Sequence, residues 1–278
     1  MSRLTQPRHT FILHFIMILA STGFLFPIAV IVNYSFKTKR ELYVGNPLAL
    51  PESFSWDNYR MAIDRLNMGT TFFNTVLYTT LSVLILAIVS SASSWAIARN
   101  KGRFFRFSYF YFIVGILIPY QALFLPIYII GYTLRLTNTV YGVIFMYVAT
   151  GMSFGVFLMT SFMSTVPVEI EEAARIDGCS VYGTYFRVVM PLLKPAMATL
   201  VIMQSFQIWN DFLMASLFVS DARLKTLTLS LQMLFSQQTS DYTSATAAIV
   251  ISVLPIAVLF ISLQKYFVKG MTVGAIKG

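Results

Sequence analysis

Residues 172–178 read Glu-Ala-Ala-Arg-Ile-Asp-Gly, and residues 188–191 read Val-Val-Met-Pro. This polar stretch separates two long apolar segments. Pro167 upstream suits the first turn of a helix, and Gly178 suits a position just past a helix end. Ser180 is a suitable N-cap for a second helix that reaches Val189. The stretch therefore predicts two short helices joined by a turn, outside the bilayer.

The composition defines the class of protein. The 278 residues are 57% hydrophobic and only 11% charged, whereas a soluble domain has about 25% charged residues. Cys179 is the single cysteine, and His9 and His14 lack metal-ligand spacing, so we expect neither a disulfide nor a metal site. The composition indicates an integral membrane protein, and the net charge of +9 is better explained by membrane topology than by nucleic-acid binding.

Six apolar segments are long enough to cross a hydrocarbon core of ~30 Å as helices. A signal peptide is the alternative for the first, but its apolar run is longer than the usual ~7 to 15 residues and lacks a clear cleavage site. We therefore expect an all-α fold with six transmembrane helices at about 10–36, 70–98, 107–132, 139–163, 196–219 and 245–267.

The distribution of Lys and Arg predicts the orientation. Twelve of the twenty lie on the side that holds both termini and the 172–191 stretch, and the loop after the second span has four cations and no acid. Because cytoplasmic loops carry the excess of Lys and Arg, both termini and this stretch are expected in the cytoplasm. The largest outer segment, 37–69, is either an interfacial amphipathic helix anchored by Trp56 and Tyr59 or a simple connector.

The 172–191 stretch has two interpretations. Ala173 and Ala174 add little bulk, so the first helix can approach another surface closely, and Glu172, Arg175 and Asp177 supply directional charges. The alternative is a charged helix that only solvates a loop. Composition alone favours the solvated helix.

The spacing resembles the motif of bacterial ABC importer permease subunits, in which Glu-Ala-Ala, three residues, Gly and nine residues precede Ile-x-Leu-Pro. Here Glu172, Ala173, Ala174, Gly178 and Pro191 match, while Val188 and Met190 replace Ile and Leu. The strings 56–59, 209–212 and 274–278 resemble the maltose-type and multiple-sugar permeases within that superfamily, so the resemblance covers nearly the whole chain.

The resemblance implies a type I ABC importer permease fold, with residues 1–278 as one transmembrane permease domain and 164–195 as a cytoplasmic coupling loop. It also implies a bacterial cytoplasmic membrane location, a second homologous permease subunit, two cytoplasmic ATPase subunits and an extracytoplasmic sugar-binding protein. The implied ATPase-coupling residues are Glu172, Ala173, Ala174, Arg175, Asp177, Gly178 and Pro191, with Gly274, Ala275, Ile276, Lys277 and Gly278 as a secondary contact or a frayed polar end. Because the chain has no P-loop motif, ATP and Mg are expected on the partner ATPases rather than on this chain.

Polar residues within the spans are candidates for a solute pathway. Asp211 is the only acid within a predicted span, and such a charge must face protein or water. Gln204, Gln207 and Asp211 fall at helical spacing, with Asn210 adjacent. Their amide and carboxylate groups can exchange hydrogen bonds with sugar hydroxyls, although interhelical hydrogen bonding is the alternative role. Further pathway candidates are Asn74, Tyr78 and Gln121.

The resulting hypothesis is a non-catalytic permease subunit of an ATP-driven importer that translocates a carbohydrate, with an oligosaccharide favoured over a monosaccharide. An ion-coupled secondary transporter that uses Asp211 is the alternative, although it leaves the Glu-Ala-Ala spacing unexplained. A membrane enzyme is disfavoured because no cluster of His, Ser and acidic residues is apparent.

Overall fold

The computed structural model describes residues 7–237 and 241–275, and every regular element in these ranges is helical. This confirms the predicted all-α class. In chain order the helices are α1 (Pro7–Phe36), α2 (Lys39–Tyr43), α3 (Asp57–Arg65), α4 (Met68–Arg99), α5 (Arg103–Leu117), α6 (Phe124–Thr133), α7 (Val140–Met163), α8 (Val168–Ile176), α9 (Val181–Leu192), α10 (Lys194–Trp209), α11 (Leu213–Phe218), α12 (Leu227–Gln237) and α13 (Tyr242–Ala275). Short 3₁₀ turns occur at Tyr120–Leu123 and Ala222–Leu224.

Four helices among the described residues are long and apolar enough to cross a membrane unbroken: α1, α4, α7 and the Tyr242–Ser262 part of α13. Two further apolar helix pairs are bent, by 96° between α5 and Tyr120–Thr133 and by 73° between α9 and α10. If each bent pair is one span, the total is six, which is the predicted number, although the second pair begins with α9, ahead of the fifth span predicted at 196–219. Continuous helices at 107–132 and 196–219 are wrong, however, and both breaks have a local cause.

The third predicted span breaks at Ile118 and Pro119. Proline lacks a backbone N–H and disfavours helical angles in the residue before it. Ile118 accordingly has extended angles (φ −84°, ψ 119°), and the chain resumes as the 3₁₀ turn and α6. Gln121 lies between Pro119 and Pro126, and the missing backbone donors of these prolines favour a kink there. This kink is present, and it is sharp enough to divide the span.

The fifth predicted span breaks at Asn210, Asp211 and Phe212. Helix α10 ends at Trp209, and α11 begins at Leu213. The Asp211 carboxylate accepts hydrogen bonds from the backbone N–H groups of Met214 (3.3 Å) and Ala215 (2.9 Å). Because an aspartate before a helix satisfies its first free N–H groups, Asp211 starts a new helix instead of continuing the old one.

The chain divides into two compact units. Within the described residues, the first comprises 7–68, 231–237 and 241–253, and the second comprises 69–230 and 254–275. In the first unit Asn58 is buried and donates hydrogen bonds to the carbonyls of Ser35 (2.9 Å) and Lys37 (2.8 Å). These carbonyls lie at the C-terminal end of α1 and just past it. The outer string 56–59 thus fastens the end of α1, which supports the connector interpretation of this segment.

The core of the second unit lies where α4, α7 and α10 meet. One buried cluster consists of Leu86, Ala87, Met159, Ala196 and Leu200, and a second, of Met163, Tyr185, Val189 and Leu193, includes α9. Close approach depends on small residues in α7. A β-carbon added at Gly151 would lie 2.7 Å from Leu86, and one added at Gly155 would lie 2.9 Å from Ser90. The Gly-x-x-x-Gly pair therefore packs α7 against α4, as its spacing predicts.

Candidate coupling bracket and solute pathway

The predicted helix pair is present as α8 and α9. We call these two helices and the turn between them the bracket. Helix α8 follows Pro167 and carries Glu169 and Glu171 in its first turn, where negative charge is favourable. Gly178 has φ +84°. The N–H of Cys179 donates to the carbonyl of Ala174, and that of Gly178 to Arg175, both at 3.0 Å. This is a Schellman stop, which confirms the role predicted for Gly178.

Helix α9 begins as the sequence predicts but extends further. The Ser180 hydroxyl accepts a hydrogen bond from the N–H of Gly183 at 3.1 Å. The helix does not end at Val189. It continues to Leu192, so Pro191 lies within its last turn, and residues 184–189 form a π-helical turn that the sequence does not indicate. Such turns often accompany functional sites.

The two faces of α8 differ in their exposure to solvent. Glu172, Ala173, Arg175 and Asp177 are exposed, in keeping with a docking surface. Ala174 is only 9% exposed and faces this chain, and its predicted place in a docking contact stays a prediction. Only Ala173 provides low bulk on the outward face.

Large apolar side chains extend the outward face of the bracket. Ile176 is 86% exposed and Tyr182 is 78% exposed, while Val181 and Phe186 are also exposed. The bracket lies between spans and carries charged residues, so this apolar surface is not explained by contact with lipid tails. An exposed apolar surface bordered by charges is typical of a protein-binding site.

Glu171 makes a buried contact that the sequence did not predict. Its carboxylate is 2% exposed and accepts hydrogen bonds from Arg99 Nε (2.8 Å) and Trp95 Nε1 (2.9 Å). Arg99 Nη2 lies 2.8 Å from the same carboxylate and also donates to the carbonyl of Val166 at 2.9 Å. The i, i+3 spacing of Glu171 and Ala174 places both on one face of α8, and a buried charge there requires a partner. The partners lie more than 70 residues away, so no local sequence pattern identifies them.

Helix α9 is attached to the same end of α4. The hydroxyl groups of Tyr185 and Ser91 are 2.6 Å apart, and the rings of Tyr185 and Trp95 have centroids 5.3 Å apart. Trp95 therefore contacts both helices of the bracket. The bracket and the last two turns of α4 form one buried polar and aromatic cluster.

A second candidate site lies among the spans of the same unit. A small cavity of about 10 Å³ is lined by polar groups from three regions of the chain, and this volume admits about one water molecule. The predicted pathway residues Gln204, Gln207 and Asp211 line it. They are joined by Tyr120, Tyr147 and Thr150, which the sequence analysis missed because they come from other helices.

The contacts of these three residues differ. Gln204 is buried and lies 3.5 Å from the exposed Gln207, amide to amide. Asp211 accepts a hydrogen bond from the Tyr147 hydroxyl at 2.9 Å in addition to its two bonds with α11. The three do not form one helical stripe, because α10 ends before Asp211, but the break still brings the carboxylate to the cavity.

The other pathway candidates do not line this cavity. Asn74 is buried and donates to the carbonyls of Arg223 (2.8 Å) and Lys225 (3.1 Å), and Tyr78 donates to that of Leu224 (3.1 Å). Both therefore hold the outer loop at residues 223–225, and their assignment to the pathway stays a prediction. Asn210 donates to the carbonyl of Phe206 within its own helix. Gln121 is exposed in the 3₁₀ turn.

The remaining predicted elements concern the tail and metals. Gly274 and Ala275 close α13, while Ile276, Lys277 and Gly278 lie outside the described residues. No group of metal-ligating side chains occurs within 7–237 and 241–275.

Membrane-spanning helices, a bracket with a solvent-exposed protein-binding face and a polar cavity between the spans are typical of a membrane transport subunit. The chain belongs to the family described as binding-protein-dependent transport system inner membrane component, whose model matches residues 89–273. It is therefore a multi-pass protein of the cytoplasmic membrane and a transport subunit.

Full-length relatives support this assignment. The chain is 37% identical over 268 residues to the probable starch degradation products transport system permease protein AmyC of Thermoanaerobacterium thermosulfurigenes, which covers 96% of this chain and 97% of that protein. It is 34% identical to the melibiose/raffinose/stachyose import permease protein MelC of Bacillus subtilis, with 91% of each chain covered. The fold matches, with a TM-score of 0.83 at 22% identity, a chain in the crystal structure of a bacterial ABC transporter involved in alginate import, covering 96% of this chain and 100% of that one.

Proposed function

We propose that this chain is one of two permease subunits of an ATP-driven importer that translocates a carbohydrate, in particular an oligosaccharide, delivered by an extracytoplasmic binding protein. The second permease is a homologous subunit, and ATP and Mg bind to two separate cytoplasmic ATPase subunits. The family description supplies the dependence on a binding protein. The names of the relatives, which refer to starch degradation products and to raffinose-type sugars, support carbohydrate as the cargo.

The observation that carries the ATPase partnership is the outward face of the bracket. It combines small Ala173, charged Glu172 and Arg175, and the largely exposed Ile176 and Tyr182. Burying the two large side chains in a cleft of the ATPase would remove apolar surface from water, worth about 1.5–3 kcal/mol for each fully buried side chain. The charges around them would fix the orientation of the contact.

The cavity supports a role in solute recognition. Of the three candidates that line the cavity, Gln207 has the most available polar groups, because its side chain is exposed and its bond to Gln204 is long. In the described state the cavity is too small for a sugar, so recognition requires the spans around it to separate. Such a change is the alternating access expected of a subunit with two stable arrangements.

The ion-coupled alternative loses its main support. It depends on an Asp211 carboxylate that is available to bind a proton or a cation. In the structure this carboxylate already accepts bonds from the Tyr147 hydroxyl and from two N–H groups of α11. These contacts give the half-buried acid a structural role that needs no ion.

The energy source is tested by reconstituting the chain with its permease and ATPase partners in proteoliposomes and measuring uptake of labelled maltooligosaccharides and raffinose. We expect uptake when the binding protein and ATP are supplied and ion gradients are collapsed by ionophores. Uptake driven by a gradient without ATP would overturn the proposal.

Docking is tested with Ile176→Glu and Tyr182→Glu. A charge at either position should prevent co-purification of the ATPase while leaving membrane insertion intact. The matched control is Leu48→Glu, because Leu48 is also an exposed apolar residue but lies in the outer segment. Retention of the ATPase by both bracket variants would refute the docking surface.

Solute contact is tested with Gln207→Leu, which keeps the approximate side-chain volume but removes the amide. We expect reduced sugar uptake with normal assembly of the complex. Met203→Leu, one turn earlier on α10 and also exposed, is the control. Loss of assembly in Gln207→Leu would instead assign the amide to interhelical bonding.

A further inference from the structure

Helix α4 is fastened at both ends to functionally different parts of the second unit. At its outer end, Asn74 and Tyr78 donate to three carbonyls of residues 223–225, and Thr75 Oγ1 accepts a hydrogen bond from the N–H of Leu227 at 2.8 Å. At its inner end it contacts both helices of the bracket. Helix α4 therefore connects the bracket with the outer loop.

The inner attachment is the stronger one. Glu171 is 2% exposed and Arg99 is 14% exposed, and the carboxylate bonds to both Arg99 and Trp95. Removing one partner of a buried ion pair leaves an uncompensated charge, so this contact resists separation. Because Trp95 also contacts Tyr185, movement of α8 relative to α9 would disrupt the same cluster.

The helix between the attachments is continuous. It has 32 residues, which corresponds to about 48 Å at ~1.5 Å per residue. It contains no proline, whereas α1 and α13 contain Pro27 and Pro255. A continuous helix without proline lacks the commonest cause of a sharp kink, so it is suited to transmit a displacement from one end to the other.

We propose that Glu171, Arg99 and Trp95 form a clamp that joins the bracket rigidly to α4, so that a displacement of the bracket moves the outer loop 221–227 through this helix. The clamp residues are positioning residues, which touch neither ATP nor sugar. This inference rests on the proposed function and adds to it a route by which the ATPase subunits act on the outer side of the membrane.

Glu171→Gln tests the clamp through the coupling ratio. The amide keeps the size of the side chain but leaves Arg99 without its counter-charge. We expect the ATPase to co-purify normally and to hydrolyse ATP, while sugar imported per ATP hydrolysed falls about tenfold, within the range of a typical coupling free energy. The control is Glu169→Gln, because Glu169 is exposed on the same helix and forms no ion pair with another described residue.

A double variant separates coupling from folding. In Glu171→Gln with Arg99→Gln, no unpaired charge remains and the two amides can hydrogen bond, so the coupling ratio should recover relative to Glu171→Gln alone. An unchanged ratio in Glu171→Gln would overturn the clamp. So would loss of ATPase association equal to the loss of uptake, since the residue would then act in docking.

Rigidity is measured independently of activity with spin labels at two exposed positions, Glu169→Cys on the bracket and Phe73→Cys near the outer end of α4, in a Cys179→Ser background. We expect one narrow distance distribution that is the same with and without ATP in the assembled complex, and that broadens in Glu171→Gln. A distance that changes with ATP would overturn the clamp. Absence of ATP-driven uptake by the unmutated complex would instead refute the proposed function, and the distance measurement on the permease alone would still report on the clamp.

Discussion

Asp241 provides a quantitative test of the outer side of the molecule. Its carboxylate is 5% exposed and lies 2.7 Å from Arg65 Nη1 and 3.2 Å from Lys39 Nζ. Thr243 Oγ1 donates to the other oxygen at 3.0 Å. Through these bonds one side chain joins α2, α3 and the start of α13 within the first unit.

The magnitude follows from the pKa. Burial alone would raise the pKa of Asp241, but the bonds from Arg65, Lys39 and Thr243 outweigh burial and lower the pKa from 3.8 to about 2. One pKa unit corresponds to about 1.4 kcal/mol, so the charged carboxylate stabilises the folded state by about 2 kcal/mol. Asp241→Asn should therefore lower the melting temperature of the purified protein by about 5 °C.

The pH dependence has a defined sign. Because the pKa is lower in the folded state, the stabilisation is present above the unfolded-state value near 4 and is lost as the pH falls towards 2. The difference in melting temperature between the unmutated protein and Asp241→Asn should be constant from pH 8 to 5 and should narrow below about pH 4. A thermal scan with a thiol-independent dye or intrinsic fluorescence measures it.

Asp221 is the matched control. Hydrogen bonds from Arg223 also lower the pKa of Asp221 to about 2. The pair is open to solvent, however, with the side chain of Arg223 86% exposed. Exposed ion pairs contribute little to stability, so Asp221→Asn should leave the melting temperature unchanged within error. Equal shifts in Asp241→Asn and Asp221→Asn would refute the argument that burial gives the Asp241 contacts their weight.

Three further predictions concern local packing and helix ends. Gly155→Leu should lower thermal stability and yield, because its first side-chain carbon would lie 2.9 Å from Ser90, whereas Gly69→Leu, with nothing within 4 Å, should not; equal melting temperatures would contradict this. Gly178→Ala should destabilise the end of α8 by about 1 kcal/mol, since φ is +84° there, and amide hydrogen exchange of the bracket should accelerate. Ser180→Ala should remove the cap of α9 at a similar cost of about 1 kcal/mol, and unchanged exchange in α9 would show that the cap is dispensable.

The elements that sequence predicts well are those set by neighbouring residues. The end of α8 at Gly178 and the start of α9 at Ser180 depend on side chains within a few positions, so the motif determines them. The kink near Pro119 is local for the same reason. The break at Asp211 also has a local cause. An aspartate two residues before Leu213 can accept hydrogen bonds from the first N–H groups of α11, but the apolar residues on both sides favoured the prediction of a single span.

The contacts that sequence does not predict join residues far apart in the chain. Glu171 appears as one of three acids at the start of α8, and only the structure shows that it pairs with Arg99 while Glu169 and Glu172 remain exposed. Helical periodicity places Glu171 and Ala174 on one face. It does not say that this face is the inner one, because charged residues normally lie outside.

The same limit explains why the pathway candidates divide as they do. Asn74 and Tyr78 have polar atoms bonded to backbone carbonyls about 150 residues away, and breaking such a bond would leave a buried side-chain donor unsatisfied. Gln207, in contrast, bonds only to the side chain of Gln204, at 3.5 Å. A sugar hydroxyl can replace a long bond between two amides at little cost, since both amides keep a partner. Solute contact is therefore expected at polar groups whose present bonds are to other side chains, and the polar residues that hold backbone carbonyls are expected to stay fixed as the spans move.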